Sequence, residues 1–153
     1  MAPVARAWLR AGLVLAVVFA LDQITKALVR SGLAVGQEDP VFPAVTLVHV
    51  RNRGVAFSAL EGRTGLVTVV IGLAVLALVI WFARHATRRL VWLPVGLLAG
   101  GAAGNIVDRA RHGAVTDFIK LPAWPAFNVA DMAITFGVLA LLYVVERSDA
   151  PDR

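Results

Sequence analysis

The stretch GLVTVVIGLAVLALVIWFA, from Gly65 to Ala83, contains no charged residue. A helix rises about 1.5 Å per residue, so about 20 such residues cross the roughly 30 Å hydrocarbon core of a bilayer. The whole chain agrees, because 59% of its 153 residues are hydrophobic and 16% are charged. Soluble domains are nearer half apolar and a quarter charged. The sequence therefore predicts an integral membrane protein and excludes a soluble enzyme with a separate cofactor domain.

Three further stretches are predicted to cross the bilayer: residues 8–29, 90–107 and 128–145. The second of them is also free of charge, whereas the first carries Asp22 and Lys26 in its last turns and the third carries Asp131 in its first turn. No repeat or linker divides the chain. The predicted fold is an all-α membrane protein with four transmembrane helices, formed by residues 1–153 as a single integral membrane domain.

The orientation follows from the short linker between the second and third spans. Residues 84–89 (RHATRR) contain three arginines and no acid, which is typical of a cytoplasmic loop. Four spans would then place both termini in the cytoplasm and residues 30–64 and 108–128 outside. Residues 45–51 (VTLVHVR) alternate in polarity between turn residues. This pattern predicts a small extramembrane β element in the first outer loop.

Polar residues gather at the outer ends of the predicted spans. A charge at the centre of a bilayer costs at least about 2.5 to 3.5 kcal/mol, so charged residues in spans usually face an interior or serve a function. Within each predicted helix these polar residues are spaced i, i+3 or i, i+4, which places them on one face of that helix. The residues are Asp22 and Lys26, then Asn105, Asp108 and Arg109, then Asn128 and Asp131, with Asn52 and Asp117 in the outer loops. This arrangement predicts a site at the outer surface.

Structural explanations exist for each group taken alone. Asp22 with Lys26 could be a helix-end ion pair, and Asn128 with Asp131 could cap a helix. Asp108 and Arg109 could end the third span at the lipid headgroups. The glycines of that span, at 96, 100, 101 and 104, have the spacing of close helix packing.

The chemistry available at this surface is that of carboxylates. The chain has no cysteine, and its three histidines show no metal-ligand spacing, so no metal site is expected. Two neighbouring carboxylates could share a proton and activate water against an amide, which is aspartic protease chemistry. The alternative is a proton-coupled small membrane carrier that uses buried carboxylates. A carrier would need polar groups that continue to the inner face, and the predicted spans offer no such path.

Five motifs resemble, in order, the signature blocks of the lipoprotein signal peptidase family, also called signal peptidase II. They are LDQITK (21–26), NRGVAFS (52–58), GGAAGNIVDR (100–109), VTDFI (115–119) and FNVADMAI (127–134). The resemblance implies an aspartic endopeptidase of the bacterial cytoplasmic (inner) membrane. It would remove the signal peptide from prolipoproteins by cleaving before a diacylglyceryl-modified cysteine. The implied partners are these prolipoproteins and membrane lipids, without nucleic acid and without a cofactor.

The resemblance also implies roles for single residues. The catalytic pair would be Asp117 and Asp131, with the active site at the outer face of the membrane. The substrate-binding or supporting residues would be Asn52, Gly54 and Asn128 on the substrate backbone, Asn105, Asp108 and Arg109 around the pair, and Asp22 and Lys26 at the end of the first span. Asp108 competes with Asp117 for the first catalytic role.

The connection between Asp117 and Asp131 is shorter than is usual in this family, which leaves the shape of the second outer loop open. Trp124 stands in this loop between two prolines. It would serve either to anchor the loop at the membrane interface or as an ordinary residue of the aromatic belt.

Overall fold

The computed structural model describes residues 1–54 and 64–149 as four long helices and one small sheet. The helices are α1 (Pro3–Gly32), α2 (Thr64–His85), α3 (Trp92–His112) and α4 (Val129–Asp149). The strands are β1 (Glu38–Phe42), β2 (Val45–Asn52) and β3 (Val115–Lys120). The fold is thus mostly helical, as predicted, and α3 continues beyond the predicted span to include Asp108 and Arg109.

Three of these helices are long and apolar enough to cross a membrane: Pro3–Gly32, Gly65–His85 and Val129–Arg147. Their outer faces carry large apolar side chains, such as Leu66, Val69 and Leu73 of α2, that are at least half exposed. Such a surface is costly in water but matches the acyl chains of a bilayer. The remaining helix, α3, is not among the three, since it is rich in glycine and alanine and has a polar last turn.

The small residues of α3 bring the neighbouring backbones close. A Cβ atom on Gly96 would lie 2.7 Å from the carbonyl oxygen of Ala11 in α1. A Cβ atom on Gly101 would lie 2.5 Å from the carbonyl oxygen of Ala130 in α4. Because real Cβ atoms do not approach so closely, only glycine fits at these positions. The predicted role of these glycines in helix packing is confirmed, and α3 lies between α1 and α4.

The three strands form one antiparallel sheet in the order β1, β2, β3. The predicted β element was incomplete, because the sheet takes its third strand from the segment between α3 and α4. That strand, VTDFIK, is short and carries two charges, so its pairing with β2 is visible only in three dimensions. Gly113, with a φ of 69°, ends α3 and donates its N–H to the carbonyl oxygen of Arg109 at 3.0 Å. This left-handed residue turns the chain from α3 into β3 and so positions Asp117.

Candidate active site

The first turn of α4 holds Asn128 and Asp131 in a reciprocal arrangement. Asn128 Oδ1 accepts a hydrogen bond from the N–H of Asp131 at 3.0 Å, and Asp131 Oδ2 accepts one from the N–H of Asn128 at 3.2 Å. This is a capping box, which satisfies two donors that a helix start leaves unpaired. The predicted helix cap is therefore confirmed. The other oxygen of Asp131, Oδ1, accepts a hydrogen bond from Asn105 Nδ2 of α3 at 2.9 Å.

Asp22 adds a second cap to α4 from the neighbouring helix α1. Its Oδ1 accepts the N–H of Ala130 at 3.0 Å, where the helix dipole favours a negative charge. Its Oδ2 lies 2.9 Å from Lys26 Nζ, so the predicted ion pair at the end of the first span is confirmed. A side chain on Gly104 of α3 would overlap the Asp22 carboxylate. The absence of a side chain at Gly104 therefore leaves room for the Asp22 carboxylate, which binds the first turn of α4.

Asp117 lies on β3 and is held by two amide groups. In the antiparallel register Asn52 is opposite Val115 and Val50 is opposite Asp117, so Asn52 and Asp117 are diagonal neighbours on one face. Asn52 Nδ2 donates to Asp117 Oδ2 at 2.9 Å, and Asn128 Nδ2 donates to Asp117 Oδ1 at 2.7 Å. Both oxygens of this carboxyl group are therefore oriented by hydrogen bonds from different elements.

Asn128 contacts both of the aspartates that line the site. Its side-chain amide reaches Asp117, and its side-chain oxygen and backbone N–H reach Asp131. Asn128 is fully buried, and its side chain contacts both carboxyl groups, while the contact with the substrate backbone that the resemblance implies stays a prediction. Burial, together with the nearby charge of Asp131, raises the pKa of Asp117 to about 7. The Asp117 carboxyl group therefore stays protonated at pH values well above its ordinary pKa.

Behind the two aspartates lies a fully buried lysine. Lys26 Nζ lies 2.9 Å from Asp22 Oδ2 and 3.3 Å from Asp108 Oδ2, and all three side chains are completely buried. It also donates a hydrogen bond to Asn105 Oδ1 at 2.8 Å. Since a buried charge is tolerated only when it is paired and hydrogen-bonded, these contacts explain how α1 and α3 keep ionised groups inside the bundle.

Three residues that contact the buried carboxylates of Asp22 and Asp108 were not in the predicted site. They are Gln23, Arg30 and Thr116. Arg30 Nη1 lies 3.4 Å from Asp108 Oδ1 and donates to Thr116 Oγ1 at 3.2 Å. Gln23 Nε2 donates to Asp22 Oδ2 at 3.1 Å and to the carbonyl oxygen of Gly104 at 3.3 Å. Spacing could have indicated Arg30, because it follows Lys26 by one helical turn.

Arg109 connects α3 to the end of β2. Its Nη2 donates to the carbonyl oxygen of Gly54 at 2.8 Å, and the N–H of Gly54 donates to Asn52 Oδ1 at 2.9 Å. Arg109 is 8% exposed, and its buried Nε has no hydrogen-bond partner among the residues that the structure describes. The rest of the NRGVAFS motif, residues 55–58, lies outside the described residues. Through Gly54 and Asn52, the guanidinium group belongs to the same hydrogen-bond network as Asp117.

A cavity of about 710 Å³ opens in front of the two aspartates. Asp117, Asp131 and Arg109 supply polar groups to its wall. The apolar wall comes mainly from α4 and the loop before it, with one residue each from α2 and β3, and consists of Ile71, Val115, Trp124, Pro125, Ala126, Phe127, Met132, Ile134 and Phe136. Phe136 is 59% exposed on the outer face of α4. The cavity therefore extends from the carboxyl groups to the surface that faces lipid.

All of the residues predicted for the site lie in one connected set of contacts. Asp108 differs from Asp117 in its surroundings, because it faces Lys26, Arg30 and the N–H of Thr116 and does not line the cavity. Within residues 1–54 and 64–149 no group of three or more potential ligands is arranged to hold a metal ion. Trp124 lies at the cavity mouth with 60% of its surface exposed.

The family model described as signal peptidase (SPase) II matches residues 14–146. A lipoprotein signal peptidase of Halothermothrix orenii is 36% identical, over 92% of this chain and 98% of the relative. One from an Azoarcus species is 43% identical, over 87% of this chain and 80% of the relative.

The fold also matches solved structures. A bacterial membrane enzyme solved by the in meso method at 2.3 Å resolution aligns with a TM-score of 0.86 and 27% identity, over 94% of this chain and 93% of that one. A family model that matches residues 14–146, together with relatives of this identity and coverage, shows the family. The chain belongs to the signal peptidase II family of membrane proteases, the lipoprotein signal peptidases.

Proposed function

We propose that this chain removes the signal peptide from diacylglyceryl-modified prolipoproteins and cleaves directly before the lipidated cysteine, with Asp117 and Asp131 as its catalytic pair. The observation that carries the proposal is that these two carboxyl groups come from different elements, both accept hydrogen bonds from Asn128, and line one cavity. Neither is neutralised by a salt bridge among the described residues. Asp108, whose charge is balanced by Lys26 and Arg30, is the supporting residue.

The chemistry follows from one shared proton. With a pKa of about 7, Asp117 is protonated at neutral or lower pH while Asp131 serves as the base. Asp131 takes a proton from a water molecule, which attacks the scissile carbonyl carbon, and Asp117 donates its proton to the carbonyl oxygen. The hydrogen bonds from Asn52, Asn105 and Asn128 hold both carboxyl groups in place. The reaction needs no cofactor.

The shape of the cavity supports a lipid-bearing substrate. Its apolar wall reaches Met132 and Phe136, which are 40% and 59% exposed on the lipid-facing surface of α4. Acyl chains can therefore stay in the hydrocarbon while the peptide enters sideways toward Asp117. The guanidinium group of Arg109 lines this cavity and can donate a hydrogen bond to a peptide or lipid carbonyl oxygen, and desolvated charged donors of this kind bind strongly.

The proposal includes the position of the protein in the membrane. All four helices cross the bacterial inner membrane, α3 being shielded from lipid by α1 and α4. Both termini and the arginine-rich linker face the cytoplasm, as the density of positive charge favours. The sheet and the two aspartates then lie at the outer face, where a translocated prolipoprotein would meet them. Asp22 and Lys26 lie behind the two aspartates and support the site from inside the bundle.

The direct test uses the purified chain in detergent with a diacylglyceryl-modified prolipoprotein. We expect one product that begins at the lipidated cysteine, identified by mass spectrometry. The matched control is the same prolipoprotein without the lipid, which should be cut at least about a hundredfold more slowly if lipid burial contributes some 3 kcal/mol to binding in the transition state. Equal cleavage of both would contradict the lipid specificity. A proton-coupled carrier would cleave neither.

The rate of cleavage should depend on pH through Asp117. Because its pKa is raised to about 7, the pair keeps its proton below that pH and loses it above, so activity should fall on the alkaline side. Asn52 donates a hydrogen bond that favours the ionised form. Asn52→Ala should therefore raise the pKa of Asp117 further and move the alkaline limb upward by about one pH unit, since such a bond is worth roughly 1.5 kcal/mol.

The measurement is a profile of kcat/KM against pH in one detergent. Gln37→Ala, a substitution at an exposed amide outside the cavity, is the control and should leave the profile where it is. An alkaline limb that stays in place or moves to lower pH in Asn52→Ala would contradict the assignment of the proton to Asp117.

A further inference from the structure

A second cavity, of about 370 Å³, lies at the opposite end of the bundle from the two aspartates. It is formed by the first turns of α1 and the linker between α2 and α3. Arg6 in its wall precedes Asp22 by sixteen residues of one helix, or roughly 24 Å at 1.5 Å per residue. The cavity is therefore separate from the catalytic site and has no role in the proposed chemistry.

Four arginines line this cavity: Arg6, Arg10, Arg88 and Arg89. No acidic residue lines it, and none of these four guanidinium groups forms an ion pair with a residue that the structure describes. Arg10 lies over the ring of Trp92 at 5.6 Å from its centroid. Four positive charges gathered around one concave surface without a counterion favour an anion.

The backbone adds to this positive field. Helices α1 and α3 both begin at the cavity, through Pro3 and Trp92. Neither helix has an acidic residue in its first turn, and neither is capped by a side chain. The positive ends of two helix dipoles are thus left uncompensated beside the arginines. The helix ends support the arginine cluster and are not the site by themselves.

The backbone segments that carry the arginines are packed against the rest of the protein. Ala7 and Ala86, which form part of the cavity wall, are buried in a hydrophobic cluster with Phe82 and Val91. The N–H of Arg88 donates to the carbonyl oxygen of His85 at 2.9 Å, which holds the linker in a turn. Because the backbone on both sides is packed, less conformational entropy is lost when an anion binds than for arginines on a free loop.

We propose that this cavity binds the phosphate group of an anionic phospholipid. Guanidinium groups hold phosphate oxygens through paired hydrogen bonds. The acyl chains have a surface to follow, because Leu9 and Leu13, on the same helix as Arg6 and Arg10, are more than half exposed. Trp92, half-buried under Arg10, is the type of residue found at the level of lipid headgroups. A basic pocket between spanning helices is a recurrent binding site for anionic lipid headgroups.

The test uses the full chain in a neutral detergent. Mixed micelles contain dioleoylphosphatidylglycerol, dioleoylphosphatidylcholine or no lipid, and two further samples contain inorganic phosphate or glycerol phosphate at the same concentration. The readouts are the melting temperature and the mass of bound lipid in native mass spectrometry. We expect phosphatidylglycerol alone to raise the melting temperature by about 5 °C near saturation and to give a one-to-one adduct.

The variant Arg6→Gln/Arg89→Gln should lose both effects while it keeps its cleavage activity. The matched control is Arg84→Gln/Arg147→Gln, which removes the same charge at the same end of the bundle but outside the cavity, and it should keep both effects. Arg6→Lys/Arg89→Lys should retain part of the shift, because the charge remains without the paired donors.

Three results would overturn the proposal. Equal binding of phosphatidylcholine would show that charge is not recognised. An equal loss in the control variant would show a diffuse electrostatic attraction without a site. The same shift with inorganic phosphate would assign the cavity to a free anion and not to a lipid.

Discussion

Asp117→Asn and Asp131→Asn should each reduce the cleavage of a diacylglyceryl-modified prolipoprotein by at least about a thousandfold. Asparagine has nearly the same shape as aspartate but cannot take or give the shared proton. Each variant should remain folded and helical, since the amide oxygen can still accept one of the hydrogen bonds now made by Asn128 or Asn105. The measurement is single-turnover cleavage in detergent, with circular dichroism and the melting temperature recorded on the same samples.

Two further variants make this result specific. Asp39→Asn, at an exposed position on β1, removes the same charge outside the cavity and should leave the rate unchanged. Asp108→Asn removes a buried partner of Lys26 and should lower the melting temperature, so any loss of rate should recover on cooling. If Asp117→Asn and Asp131→Asn kept their activity while Asp108→Asn lost it at every temperature, the catalytic pair would be wrongly assigned although the family would stand.

Lys26→Met should lower the free energy of unfolding by about 3 to 5 kcal/mol. Methionine fills a similar volume but leaves the carboxylates of Asp22 and Asp108 without their shared cation in a site where all three side chains are fully buried. For a chain of this size the melting temperature should fall by roughly 10 °C. Thermal unfolding in one detergent, followed by circular dichroism, measures the change.

The matched control is Lys120→Met. Lys120 Nζ lies 2.5 Å from Glu38 Oε1, a shorter distance than any ion pair of Lys26, but these side chains are 44% and 49% exposed. Water and salt screen such a pair, so its loss should cost less than about 1 kcal/mol. Asp22→Asn in the Lys26→Met background should recover part of the loss, because one unpaired buried charge is removed. Equal costs for Lys26→Met and Lys120→Met would show that burial does not control these ion pairs.

The position of the polar cluster could be predicted from spacing alone. Asp22 and Lys26 stand one helical turn apart next to an apolar run, and Asn128 and Asp131 stand at the start of another. Since charged residues are excluded from the hydrocarbon unless they face a partner, these positions had to meet at one end of the bundle. The structure joins them through Asn105, whose oxygen accepts from Lys26 and whose amide donates to Asp131.

The partners of single side chains could not be predicted in this way. That Asn128 is fully buried and bridges Asp117 and Asp131 is visible only in the structure, because Asp117 lies on a different element. The spacing after Lys26 could have indicated Arg30, but not its partner Asp108, which is 78 residues away in the sequence. Thr116 contacts Asp108 because the chain turns at Gly113 between them. Local spacing carries no information about which distant segments approach one another.

The class of the protein, its apolar helices, the close packing of α3 through glycine and most of the polar residues of the site can be predicted from the sequence alone. These features depend on local patterns: the length of an apolar run, the interval between small residues and the spacing of charges along one helix. Three features are visible only in three dimensions: β3 pairs with β2, Asn52 thereby contacts Asp117, and Asp22 of α1 caps α4. A strand of six residues with a polar carboxyl group near its centre is stable only against a partner strand and a packed helix, so its position depends on contacts between distant segments.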